Sequence, residues 1–182
     1  MTFLRRAAPR RVTWIPFERA RRRAQAPSMS ARIRHIFISP GHNFIGRHGL
    51  PPGENPTVEV REVRCVTGRG IEGDRYFHFK DDYKGQVTFF AWEVHERMCA
   101  QFGIRDKSPA VFRRNFITEG ADLNALIGVE FELQGVRFLG TQESAPCHWM
   151  NTAFAAGAED ALKGHGGLRA KILSDGVLRV SG

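Results

Sequence analysis

The sequence predicts a mainly β protein with short helices, arranged as a barrel or a sandwich. Three observations support this. Apolar runs of four to nine residues recur along the chain, and glycine- or proline-rich turns separate them. Only two stretches have helical periodicity over ten residues or more. There is no internal repeat, and no alternation of strand and helix long enough for a doubly wound parallel sheet.

Ile33 to Ile38 is the first apolar run, and it stops at the turn-forming Ser39-Pro40-Gly41-His42-Asn43. Residues 46–56 hold three prolines and three glycines and read as a long loop. Val58 to Val66 reads as a strand whose alternation slips by one at Val63 and Cys65, as a bulge would produce. The glycine-rich Gly68 to Arg75 follows, then a strand over Gln86 to Phe90. A helix over Ala91 to Phe102 ends at Gly103, with Trp92, Cys99 and Phe102 as its apolar stripe. Asn115 to Thr118 is a strand and Leu123 to Leu126 one helical turn. Glu130 to Leu133 and Val136 to Thr141 flank Gln134-Gly135 as a hairpin. Ala153 to Leu162 reads as a helix, Leu168 to Leu173 as a strand or short helix, and Asp175-Gly176 as a turn into a last strand, Val177 to Val180.

The 182 residues suffice for one domain with a full core. Their net charge of +8 is uneven. Residues 1–28 contain eight arginines against Glu18 alone, +7, and Pro9, Pro16 and Pro27 interrupt any helix there. They are expected to form a disordered basic tail, with residues 29–182 as the domain. The domain is nearly neutral, with 19 basic and 18 acidic residues. A nucleic-acid reader would place a basic face on the domain itself, so no nucleic-acid partner is expected. The Arg-rich, acid-poor leader has the composition of a mitochondrial address. An extended start is the plainer reading, because Met29 opens the structured pattern. No apolar run is long enough to span a membrane, so no membrane partner is expected. Three cysteines with no close spacing argue against a disulfide framework and for a reducing cytoplasm.

Cys147 is the foremost candidate for chemistry. Pro146 fixes the backbone before it, and it follows the hairpin. A cysteine in such a loop can present a thiolate, the reactive and metal-binding form, to a ligand. The alternative is a small buried apolar residue; for Cys65 and Cys99, on periodic apolar faces, that is the preferred reading. Gly68 to Arg75 and Gly164 to Arg169 pair glycines with arginine, a composition suited to anions, though neither has a phosphate-loop pattern. Arg113-Arg114-Asn115 either holds an anion or faces solvent. The seven histidines make no zinc signature; His42 and His48, six apart, are poorly spaced as ligands. Ser144 and Asp74 with a histidine do not make a hydrolase, because Gly-x-Ser-x-Gly is absent.

Taken in order, Gly70-Ile71-Glu72-Gly73-Asp74-Arg75-Tyr76, Arg114-Asn115-Phe116-Ile117-Thr118, Leu126-Ile127-Gly128, Ala145-Pro146-Cys147 and Gly166-Gly167-Leu168-Arg169-Ala170 before Asp175-Gly176 resemble the MOSC domain. This is the C-terminal domain of molybdenum cofactor sulfurases, also found as stand-alone bacterial proteins. The resemblance spans about residues 31–180 and implies a closed MOSC-type β-barrel. It implies that Cys147 is the molybdenum ligand or the carrier of a persulfide, and hence the catalytic residue. It places Gly73, Asp74, Arg75, Arg114, Asn115 and Arg169 at the molybdenum cofactor (molybdopterin). The function implied is reduction of a small N-hydroxylated substrate with electrons from a partner protein. The alternative is a non-enzymatic carrier of sulfur or cofactor in molybdenum cofactor sulfuration or metal-sulfur cluster assembly, supplied by a donor such as a cysteine desulfurase. No pyridoxal-phosphate domain precedes this one, so the chain alone is not expected to bind pyridoxal phosphate.

Removal of residues 1–28 is expected to leave the domain folded, because they offer few apolar groups to bury. The melting temperature of the shortened chain should stay close to that of the full chain. A large drop would show that the tail packs on the domain.

Overall fold

A computed structural model describes residues 28–44, 47 and 50–182. The basic segment 1–27 and His48 lie outside the described residues; Ser28, at the end of that segment, pairs with Glu132 in a parallel bridge. Among the described residues, ten strands form two sheets. The strands are β1 (Arg32–Ile38), β2 (Val58–Val60), β3 (Glu62–Val66), β4 (Gly70–Ile71), β5 (Val87–Ala91), β6 (Phe116–Glu119), β7 (Glu130–Leu133), β8 (Val136–Glu143), β9 (Leu168–Ile172) and β10 (Gly176–Arg179). The helices are α1 (Trp92–Phe102), α2 (Trp149–Ala153) and α3 (Ala158–Leu162). The large sheet has the order β2-β1-β6-β5-β9-β8-β7, and the small one β10-β3-β4. All pairs are antiparallel except β5 with β6, which α1 connects as a crossover.

The molecule is layered around the large sheet. β5 lies in its middle and is buried on both faces over Val87 to Phe90, with Thr88 the one polar side chain among them. Val87 and Phe89 face one core, shared with Val63, Cys65, Ile71 and Leu178 of the small sheet. Phe90 faces the other core, made with Met98 of α1, Met150 of α2, and Ala158 and Leu162 of α3. On β1 the register shifts between Ile33 and His35, so that Ile33 and Ile36, three apart, reach the same core.

Mainly β with short helices is therefore the architecture, built on a mixed sheet. The closed barrel expected from the resemblance is not detected among the described residues. The ladders leave β2 and β7 as edges. The ring comes nearest to closing where the Met29 amide donates to the Glu132 carbonyl, at 2.7 Å, beside the single bridge at Ser28.

Two local expectations also need correction. The slipped alternation in Val58 to Val66 is a change of sheet, not a bulge. The chain leaves the large sheet after β2, turns at Arg61 and enters the small sheet as β3. Of the helix expected over Ala153 to Leu162, only Ala158–Leu162 forms as α3; Ala153 is the last residue of a separate helix, α2. Gly157 separates them at φ 86°, a left-handed conformation that an α-helix cannot contain. In α1 the most buried residues are His95 and Met98, with Trp92, Cys99 and Phe102 half-buried beside them.

Cys65 is fully buried in the core between the sheets, and burial pushes its thiol up to about 12. Cys65→Ser places a hydroxyl in that apolar site and should cost about 1–3 kcal/mol. Urea unfolding will measure it; an unchanged midpoint would contradict the placement.

Candidate functional site

The site is assembled at the loops that leave β1, β4 and β8 and at the segment that enters β6. Beyond β8, Ser144 is buried and the chain emerges through Ala145 and Pro146 to an exposed Cys147 just before α2. Cys147 borders two adjoining lobes of a cleft, of about 150 and 180 Å³. Both lobes are also lined by Arg75, Tyr76, Arg113 and Arg114. His42, Phe44 and Met150 complete the first, and Tyr83, Thr88, Ser144 and Arg169 the second.

Four arginines therefore meet in one cleft. Among the described residues, Arg75 alone of them has a carboxylate partner, Asp74, at 3.3 Å. Arg75 also donates to the Arg113 carbonyl at 3.0 Å, and its guanidinium lies 5.0 Å from the Tyr76 ring centre. Arg113 sits at φ 55° and donates to the Gly41 carbonyl and the Thr57 hydroxyl, at 3.2 and 3.3 Å. Arg114 donates to three carbonyls, those of Phe112, Ser144 and Gly166. Burial brings Arg113 down to about 10, and the neighbouring Arg75 adds to the shift. Arg114 also falls to about 10, through burial first and then Arg169 and Arg75. Crowded, desolvated cations of this kind are relieved by an anion. His42 is lowered as well, by burial and then by Arg75, and among the described residues its Nε2 has no hydrogen-bond partner.

Aromatic side chains line the cleft among these cations. Tyr76 and Tyr83 stack with ring centres 5.3 Å apart, and Phe79 and His42 pack against Tyr76. Phe44 lies against Trp149 with ring centres 5.0 Å apart. The cleft thus offers a planar apolar surface, a belt of fixed cations and one thiol. Among the described residues no group of three or more His, Cys, Asp or Glu is placed to hold a metal ion, so a metal here would rely on Cys147 and on ligands that are not protein.

Of the residues singled out in the sequence, Cys147, Arg75, Arg114 and Arg169 line this cleft. Gly73, Asp74 and Asn115 do not; they lie behind its wall. Gly73 takes φ 81° in the turn that delivers Asp74. The buried Asp74 carboxylate accepts from the Ser39 and Tyr76 amides and from the Asn115 side chain, each at 3.1 Å. Asn115 in turn accepts from the amide and hydroxyl of Thr88 and donates to the Phe37 carbonyl. Gly68 and Arg69, from the same glycine-rich stretch, border a separate hollow with His78 and Lys80. Sequence reasoning left out Phe44 and Tyr83, and weighed His42 only as a poorly spaced metal ligand. Tyr76 stood inside a quoted segment without being assigned a role. Nothing local marks Tyr83, because it reaches the cleft through the turns of residues 72–85.

The family model of the MOSC domain matches residues 74–181, more than half of the chain. The chain belongs to the MOSC domain family. That family is associated with molybdenum cofactor binding and sulfuration. Among solved structures, the YuaD protein of Bacillus subtilis is similar at 16% identity and a TM-score of 0.62, over 86% of this chain and 94% of that one. YiiM of Geobacillus stearothermophilus is similar at 17% identity and 0.60, over 83% and 72%. YiiM of Escherichia coli is similar at 17% and 0.55, over 79% and 66%. At these identities the similarities establish the fold. No curated protein matches the chain.

Two outcomes follow from the geometry. Iodoacetamide should modify Cys147 first, then Cys99, which is half-buried and whose thiol burial raises, and Cys65 last. Peptide mass spectrometry gives the order, and early labelling of Cys65 would contradict it. Asp74→Ala leaves Arg75 without its carboxylate and strips acceptors from two amides; the cost should be about 3–5 kcal/mol. A loss below about 1 kcal/mol in chemical denaturation would remove Asp74 from this supporting role.

Proposed function

We propose that this MOSC protein binds the molybdenum cofactor in the Cys147 cleft and reduces small N-hydroxylated compounds with electrons from a partner protein. The observation that supports this is the meeting of one exposed thiol with four arginines, of which, among the described residues, Arg75 alone pairs with a carboxylate. The donor set fits the group. A soft thiolate suits molybdenum. Arg75, Arg113 and Arg169 suit its terminal phosphate, and Arg114 adds positive charge beside them. The stacked Tyr76 and Tyr83 suit a flat heterocycle.

When bound, the cofactor would supply two-electron redox chemistry. The chain's own contributions are to ligate through Cys147 Sγ, to hold the anionic end on guanidinium groups, and to shield the planar ring with aromatic side chains. Gly73, Asp74 and Asn115 serve the cleft by supporting its wall. The exposure of Cys147 also favours a second reading, a carrier whose sulfur a donor protein can reach directly.

Metal and persulfide content, per folded molecule, tests both readings. Protein isolated from molybdate-fed cells should contain molybdenum, and Cys147→Ser should lose most of it while keeping its melting temperature. Arg75→Ala and Arg113→Ala should each weaken retention by about tenfold or more, since a charge-assisted hydrogen bond contributes about 1.5–3 kcal/mol. Molybdenum with turnover of an N-hydroxylated base supports the reductase; persulfide on Cys147 without turnover supports the carrier. Equal loading of Cys147→Ser and wild type would end both.

A further inference from the structure

We infer that Arg114 is a positioning residue for Cys147, acting by pinning the start of the cysteine loop to the turn at Gly166. The inference rests on the proposed function in one respect, that Cys147 is the atom whose placement matters.

The guanidinium is held by three carbonyls from three separate segments. Nε donates to Gly166 O at 2.9 Å, Nη1 to Phe112 O at 2.8 Å and Nη2 to Ser144 O at 2.6 Å. Ser144 lies three residues before Cys147, and its own amide donates to Gly167 O at 2.7 Å. The turn is held from its other side too, because the Gly166 amide donates to Glu143 Oε1 at 2.9 Å. The approach is close. A Cβ on Gly166 would lie 2.4 Å from Ser144 O and 2.9 Å from Pro146 Cδ, so any larger residue would push the cysteine loop away. Among the described residues Arg114 has no carboxylate partner, so carbonyl dipoles are its protein counter-charge.

A guanidinium has five N–H donors in one plane. Three are spent on the carbonyls, which leaves one on each terminal nitrogen of a side chain that borders both lobes. Geometry and charge can therefore be separated. Lysine keeps the charge but concentrates its donors on one nitrogen and cannot span three carbonyls.

The test uses the full chain in a Cys99→Ser background, with a trifluoromethyl tag on Cys147 and inorganic phosphate as the probe of the cleft. Arg114→Lys should shift or broaden the fluorine resonance, reporting a loosened loop. Its phosphate affinity should stay within about threefold of the parent, because the charge remains. Arg114→Met should change both. An unmoved fluorine signal in Arg114→Lys overturns the inference. So does a loss of phosphate binding in Arg114→Lys as large as in Arg114→Met, which would make Arg114 a direct anion contact instead. Should neither variant fold, hydrogen exchange of the wild type decides. The Ser144 amide should exchange as slowly as the amides of β5 and β9; exchange at loop rates overturns the strut. A wild type that binds no phosphate at all counts against the anionic cleft, and the fluorine comparison then decides the role of Arg114.

Discussion

The buried carboxylate of Asp74 is the constraint on which the cleft depends. It joins the segment after β1, the turn after β4 and the entrance to β6 by accepting from the Ser39 amide, the Tyr76 amide and the Asn115 amide group. Buried polar groups of this kind are costly unless fully satisfied, and here the satisfaction fixes relative position. With those three segments locked, Arg75 is directed to one side and Asn115 ties the assembly to Thr88 on β5. The arginine wall follows from that anchorage, since cations so crowded would separate if their backbones were free to move.

Packing reinforces the arrangement from both faces. Aromatic side chains fill the two cores: Phe89, Phe116, Phe131 and Phe138 on the side of the small sheet, and Phe37, Phe90, Phe112 and Phe154 on the side of the helices. Phe112 stacks on Phe90 at 4.3 Å and precedes Arg113 and Arg114. The rigidity of the core therefore passes directly to the cationic residues, and the loops of the site are short extensions of buried elements.

The extent to which this was legible in the sequence varies by element. α1 was clear because its periodicity runs for eleven residues and stops at a glycine that takes φ 64°. The β7–β8 hairpin was clear because Gln134-Gly135 adopts the left-handed conformations that such turns need. The break at Arg61 was misread, because a bulge and a change of sheet leave the same slipped alternation. At the site, Cys147 stood out because Pro146 precedes it in a loop, and Arg75, Arg114 and Arg169 were placed there by the family resemblance. Asp74 and Asn115 were expected at the ligand and lie behind the wall instead. Whether a polar side chain faces a cavity or supports one depends on long-range contacts that no local pattern records. Tyr83 was missed for the same reason, and His42 was weighed only for its spacing from His48.

The order in which the strands occur along the chain has a consequence for synthesis. β9 is laid down late in the sequence, yet it lies between β5 and β8 in the large sheet, and β10 brings Leu178 to a core begun by Ile33. While the ribosome is still making the segment before Leu168, the nascent chain holds β5 and β8 with the edges that β9 will later join unsatisfied. Phe89 and Phe138 must then wait for a neighbour that has not been translated. A chain of this topology cannot complete its sheet progressively from the N-terminus, and its exposed strand edges during elongation are where holding chaperones would engage.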